Sequence, residues 1–258
     1  MHPYLDGVER RLARARAEIA TLESYISASR RNLKRNRTVV DVEDDGLKHT
    51  VRVYFTWKPP EEWGLMVGEI VHHLRSVLDN FAYQLVAANG QTPTSRTEFP
   101  VALKQDWFDR VAGDKLSGVD PRALAEIRRL QPFARTDGGN PSTHWLWVIH
   151  QLDIVDKHQL IHVCVAVPGS AGYTLRQSDL DCGCIVRMHF RPLENGTPLM
   201  EFLFTTPQRE AVQVDSRAAL QIALAETERT PYVFFPGQLS NACNLVSTTI
   251  REISATTL

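Results

Sequence analysis

At 258 residues the chain is long enough for one large domain or two small ones, with a real apolar core. Hydrophobic residues make up 43% and charged residues 23%, ordinary for a globular protein. A formal net charge of −1 excludes a molecule that is basic throughout. No apolar run reaches the roughly 18 residues of a membrane-spanning helix, and the N-terminal stretch has no apolar leader core. Cys164, Cys182, Cys184 and Cys243 are scattered, and Cys182 with Cys184 supplies too few ligands for zinc. The expectation is a cytoplasmic protein with reduced thiols and no membrane contact.

Residues 4–33 read as one long helix, with Leu5, Val8, Leu12, Ile19, Leu22 and Ile26 recurring at helical spacing. Its far end carries RRNLKRNR, five basic residues in eight. Arg30, Arg31, Lys34 and Arg35 there suit either a solvated helix end or a patch that holds phosphate. The apolar stripe of the helix could complete a bundle or support a homodimer. Two β-rich runs then flank Asp45-Gly46, which predicts a hairpin over 38–57. Pro60 precedes a helix over 61–88 that stops at Asn89-Gly90.

Two shorter helices follow, at 104–112 and 121–130, the second stopped by Gln131-Pro132. HWLWVIHQLDIVDKH predicts a helix over 143–158. From residue 159 the pattern changes to strands: LIHVCVAV, IVRMHF, MEFLFTT, ALQIALAE and YVFF. A helix over 239–253 closes the chain. Helices and strands in separate runs mean α+β: a helical bundle (long N-terminal helix, β-hairpin, central helices) packed with an antiparallel sheet and a C-terminal helix. The expected organisation is one domain over 1–258, with a mainly helical half to residue 158 and a mainly β half from 159.

The helix at 61–88 contains the stretch that points to function, GEIVHHLRSVLDNFAYQLV. Stepped at about 100° per residue, Val67, Ile70, Val71, Leu74, Val77, Leu78, Phe81 and Leu85 form a core face. Arg75, Asp79, His72 and Tyr83 fall opposite, with His73, Asn80 and Gln84 on the flank. No lysine occurs between residues 59 and 103, so this row is not the Glu/Lys mixture of an ordinary solvated face. The composition suits a hydrogen-bonded cleft against the helix at 143–158, whose end brings Asp153, Asp156, Lys157 and His158. Those groups fit acid–base work or an anionic substrate. His73, His158 and His162 form an alternative metal set, His158 and His162 being four apart. There is no G-x-S-x-G elbow, no phosphate-cradling glycine loop and no dinucleotide fingerprint, and no cofactor is expected.

GEIVHHLRSVLDNFAYQL, EFP at 98–100, LQPF at 130–133 and DIVDKH at 153–158 resemble, in order and spacing, a bacterial family of uncharacterised cytoplasmic proteins common in actinobacteria. The resemblance covers roughly residues 60–165. A more distant similarity is to HEPN-type helical domains, many of them RNases with an arginine followed, four to six residues on, by histidine. That similarity implies Arg75 on phosphate, Asp79 orienting it, and RNA as partner across a dimer. The residue five on is Asn80, which cannot act as a base, so His158 would have to serve as acid or base. His72, Asn80, Tyr83, Asp156 and Lys157 would then line the site. Three readings stand: an RNA-directed HEPN-like protein; a non-enzymatic module for a small ligand or protein, its polar cluster structural and marked by an Asp79–Lys157 or Arg75–Asp156 bridge; and a metal-dependent hydrolase.

Overall fold

A computed structural model describes residues 5–166, 183–188, 193–212, 221–224 and 236–257. The element order is α1 (Asp6–Leu33), β1 (Arg37–Glu43), β2 (Lys48–Tyr54), α2 (Glu62–Ala88), α3 (Gln105–Lys115), α4 (Pro121–Arg129), α5 (Trp145–Asp156), β3 (Val163–Ala166), β4 (Cys184–Met188), β5 (Pro198–Phe204), β6 (Gln221–Leu224) and α6 (Leu239–Thr257). The fold is α+β. YVFF, read as a strand, lies outside the described residues.

Local chemistry explains most boundaries. Asp6 and Glu9 sit in the first turn of α1, where carboxylates oppose the positive end of the helix dipole. Asp120 caps α4 by accepting from the Arg122 N–H, and Pro121 follows at a position that needs no donor. His144 caps α5 through its ring nitrogen, which accepts from the Leu146 N–H at 3.3 Å.

Val8, Leu12, Ala15, Ile19 and Leu22 of α1 are at most 3% exposed. They alternate by four and three residues, the spacing of a straight seam between packed helices. α1 packs on α2 and α6, and α2 also packs on α5 and α6. The stripe that suggested self-association is therefore used within the chain. Around α2, the main core gathers residues from all the helices and from the β3–β6 pair, including Val165, Ile222 and Leu224.

The strands form two sheets rather than one. β1, β2, β5 and β4 lie in that order, all antiparallel, and β3 pairs with β6. The hairpin thus belongs to the larger sheet, since β2 pairs with β5 from the other half of the chain. Its turn is tight: Asp44, Asp45 and Gly46 all have positive φ. Gly46 lies flat against the backbone of Gln208, whose N–H donates to the Gly46 carbonyl. His49 fixes the same region. Fully buried, it donates from Nε2 to the Gln208 carbonyl at 2.8 Å and accepts at Nδ1 from the Val212 N–H.

α2 and α5 meet at small residues. A Cβ on Gly64 would run into the Ile161 carbonyl, and one on Gly68 into the Asp156 carboxylate. Gly113 of α3 is exposed and has open space around it. Gly64→Ala should therefore lower stability by about 1–3 kcal/mol through overpacking, whereas Gly113→Ala should raise it by about 0.5–1 kcal/mol through helix propensity. Urea midpoints of the two variants check both signs.

Candidate functional site

The polar row of α2 faces protein rather than solvent at its centre. Arg75 is only 6% exposed, and segment 98–103 is bonded to it through Phe99. Arg75 Nη2 donates to Asp79 Oδ1 at 2.6 Å and to the Phe99 carbonyl at 2.7 Å. The same Asp79 oxygen accepts from the Phe99 N–H at 2.9 Å. One residue of the covering segment thus has both its backbone groups satisfied by an ion pair four residues apart on α2. Gln131 does the same next door. Buried just after α4, it donates to the Pro100 carbonyl at 3.0 Å and accepts from the Ala102 N–H at 2.9 Å. The motifs EFP and LQPF are therefore two sides of one contact.

The second polar segment does meet α2 in direct packing: Gly68 lets the end of α5 approach, and Gly64 admits the chain just beyond it at Ile161. Asp153, 2% exposed, accepts from Lys157 Nζ at 2.6 Å and faces His72 Nδ1 at 3.1 Å. The bridges expected as Asp79–Lys157 or Arg75–Asp156 are instead Arg75–Asp79 and Lys157–Asp153. Asp156 packs on Gly68, and burial, then the nearby Asp153, pushes its carboxyl above the usual range. His158 is exposed, and among the described residues it bonds to neither Arg75 nor Asp79. His73 leaves the row for α1, where it lies 3.5 Å from Glu18. His162 is exposed. Among the described residues no group of three or more His, Cys, Asp or Glu could hold a metal ion, so His73, His158 and His162 do not converge.

Asp79, Asn80 and Tyr83 come together with Arg11, Ser76 and Thr97 around a hollow of about 290 Å³. Arg31, Lys34 and Arg35 are exposed and make no side-chain bond among the described residues, while the Arg30 side chain lies outside them. Arg31 is twenty residues along α1 from Arg11, about 30 Å at the rise of an α-helix. The basic run is therefore well away from the hollow.

Two further depressions were not foreseen from the sequence. One, about 500 Å³, lies between α3 and α4, but its charged groups, Asp109 and Arg128, are paired with each other at 2.7 Å. The other, about 400 Å³, lies between residues 101–110 and α5 and has Trp107, Trp147 and His150 in its wall. Its floor borders the Arg75 clamp. Lys115 pairs with Glu98 and stands 5.8 Å over the Trp107 ring. Burial, then the Arg75 charge, pushes the Lys115 pKa down. His150 tilts against Trp147 at 5.7 Å, and its Nδ1 is buried with no hydrogen-bond partner among the described residues. Burial first, and then Arg75, pushes the His150 pKa down to about 4. The hint in the sequence was a helix with two tryptophans and a histidine at spacings of two and three, a pattern a core helix shares.

A histidine held neutral by burial links stability to pH. Between its ordinary value near 6.5 and about 4, the unfolded chain takes up a proton that the folded chain refuses. His150 therefore contributes a loss of stability as pH falls through that window. His150→Gln should lose less stability than the parent between pH 7 and pH 4.5, as read from urea midpoints; equal losses would refute the assignment. No protein family, curated protein or solved structure matches this chain, so its function is argued from this geometry.

Proposed function

We propose that the chain is a non-enzymatic module that binds a small anionic ligand, and that the polar row of α2 builds the fold rather than reacting. What carries this reading is the burial of Arg75: its Nη2 donates to Asp79 and to the Phe99 carbonyl, and its Nη1 is enclosed as well, with no hydrogen-bond partner among the described residues. An arginine that holds a phosphate needs its planar fork open to the ligand. His158, the histidine that would replace the base missing at Asn80, points to solvent without bonding the pair.

Asp79→Ala should leave Arg75 a buried charge without its carboxylate and Phe99 a donor without an acceptor. Asp79 is itself about a third exposed, which places the expected cost near the lower end for a broken buried pair, about 3 kcal/mol in urea unfolding. An end-labelled RNA pool should stay intact with the parent protein. Chelator-resistant cleavage that disappears in folded Arg75→Ala and His158→Ala variants would overturn the reading and restore the HEPN-like nuclease.

A second reading, RNA binding without cleavage, rests on the exposed Arg31, Lys34 and Arg35 at the end of α1. It expects single-stranded RNA retention that falls steeply with salt, and a shallower slope when the three are changed to alanine. Retention unaffected by those changes removes it.

A further inference from the structure

We infer that the cleft between residues 101–110 and α5 is a binding site for a planar aromatic carboxylate. This deepens the binding reading above by naming the place and the ligand class, and it rests on that reading. Ligand pockets in proteins are mostly apolar and aromatic, carry a few placed polar groups, and measure roughly 300–1,000 Å³. Of the three depressions, this one meets all of those conditions. The hollow beside Asp79 is polar and places a carboxylate in its wall. The groove between α3 and α4 has its Arg128 already neutralised by Asp109.

The cleft of about 400 Å³ is walled by Trp107 from α3 and Trp147 from α5, with Val101, Ala102 and Leu103 between them. Both indoles are half-buried and present apolar ring surface to the space. No ring contact joins the two indoles among the described residues, and Lys115 stands over the Trp107 ring at 5.8 Å. Lys104 and Arg110 stand at the rim, both exposed and without a partner among the described residues. Asp106 is the one acid among the lining residues, so the rim carries an excess of one positive charge. Arg75 and Lys115 lie near enough to act on His150, but each is paired, with Asp79 and Glu98, so the charge offered to an anion is that of the rim.

His150 supplies the polar group that orients the ligand. Its Nδ1 is buried without a partner among the described residues, and the residue lines the cleft. In the proposed complex the neutral ring carries its proton on Nε2 and donates it to the ligand carboxylate. A planar ring against the indoles, its carboxylate shared by His150 Nε2–H, Lys104 and Arg110, uses both cations of the lining and its histidine.

The test is calorimetric titration of the full chain with 2-naphthoate and, beside it, the neutral 2-naphthamide. The expected result is saturable naphthoate binding at least about tenfold tighter than that of the amide. Lys104→Ala with Arg110→Ala should weaken naphthoate by on the order of tenfold, the sum of two exposed charge contacts, and leave the amide unchanged. Trp147→Leu should weaken both probes. The Lys104 and Arg110 changes are at exposed side chains, so the doubly changed protein keeps its fold and remains informative even if Trp147→Leu does not. No saturable naphthoate binding, equal affinity for the amide, or an unchanged affinity in the double variant each overturns the inference. If naphthoate fails to bind while Asp79→Ala still destabilises the chain, the ligand assignment falls and the structural role of the clamp stands. If RNA is cleaved and the cleavage is lost in folded Arg75→Ala, the underlying reading falls instead.

Discussion

Segment 98–103 lies against the middle of α2, paired with no strand among the described residues, and the rest of the helical half is arranged around that contact. A backbone buried outside helix or sheet must still satisfy its N–H and C=O groups. Phe99, Val101 and Ala102 put their side chains in the core. Their backbone cannot be left dry without partners, each orphaned group costing about 1–3 kcal/mol. Arg75, Asp79 and Gln131 are those partners. An arginine and an aspartate are costly residues to bury, but two amide side chains could not match them here: a guanidinium and a carboxylate also neutralise one another while they serve the same peptide.

That contact determines where the next elements go. Segment 98–103 runs into α3, so fixing Phe99 and Ala102 fixes where Trp107 and Arg110 emerge. Gln131 ties the end of α4 to the same segment. On the other side, Gly68 admits the end of α5 against α2, and Trp147 and His150 of α5 line the same space as Trp107. The cleft exists because two elements that never pair with each other are each docked on α2. The electrostatics follow the same route. The cations that pair with Asp79 and Glu98 also lie near enough to His150 to hold its ring neutral, burial being the larger cause.

The helices were legible because periodicity reports the dominant core face, and for α1 and α2 that face is as the spacing predicts. The Arg75–Asp79 pair was legible as well, since four residues on one helix is a local geometry. Its burial was not. A hydrophobic stripe identifies the side of a helix that meets other apolar elements, and it is silent about a loop laid over the polar side. The hairpin was read from Asp45-Gly46, yet its place in a sheet with β5 depends on a partner about 150 residues away. His49 shows the same limit: its two bonds go to Gln208 and Val212, and nothing near it in the sequence marks it as more than a strand residue. Close packing at one end of the α2–α5 contact had a sign in the sequence: Gly68 meets Asp156 of α5, and Gly64 the chain just beyond it.

A row of Arg, Asp, Asn and His on a helix has two physical explanations that composition cannot separate. Catalytic sites and buried polar clamps both replace the flexible Lys and Glu of a solvated face with shorter, more directional groups. What separates them is where the bonding capacity goes. In a clamp, donors and acceptors are consumed by the protein's own backbone. In a site, some are held open toward space a ligand can enter. Asp79 and Arg75 Nη2 fall on the first side through Phe99, although Arg75 Nη1 is buried without a partner among the described residues. His150 falls on the second, because it lines a cleft with bonding capacity unused. The polar row of α2 and the cleft are therefore one construction: the row fixes the backbone of segment 98–103, and the aromatic walls a few residues further along supply the room.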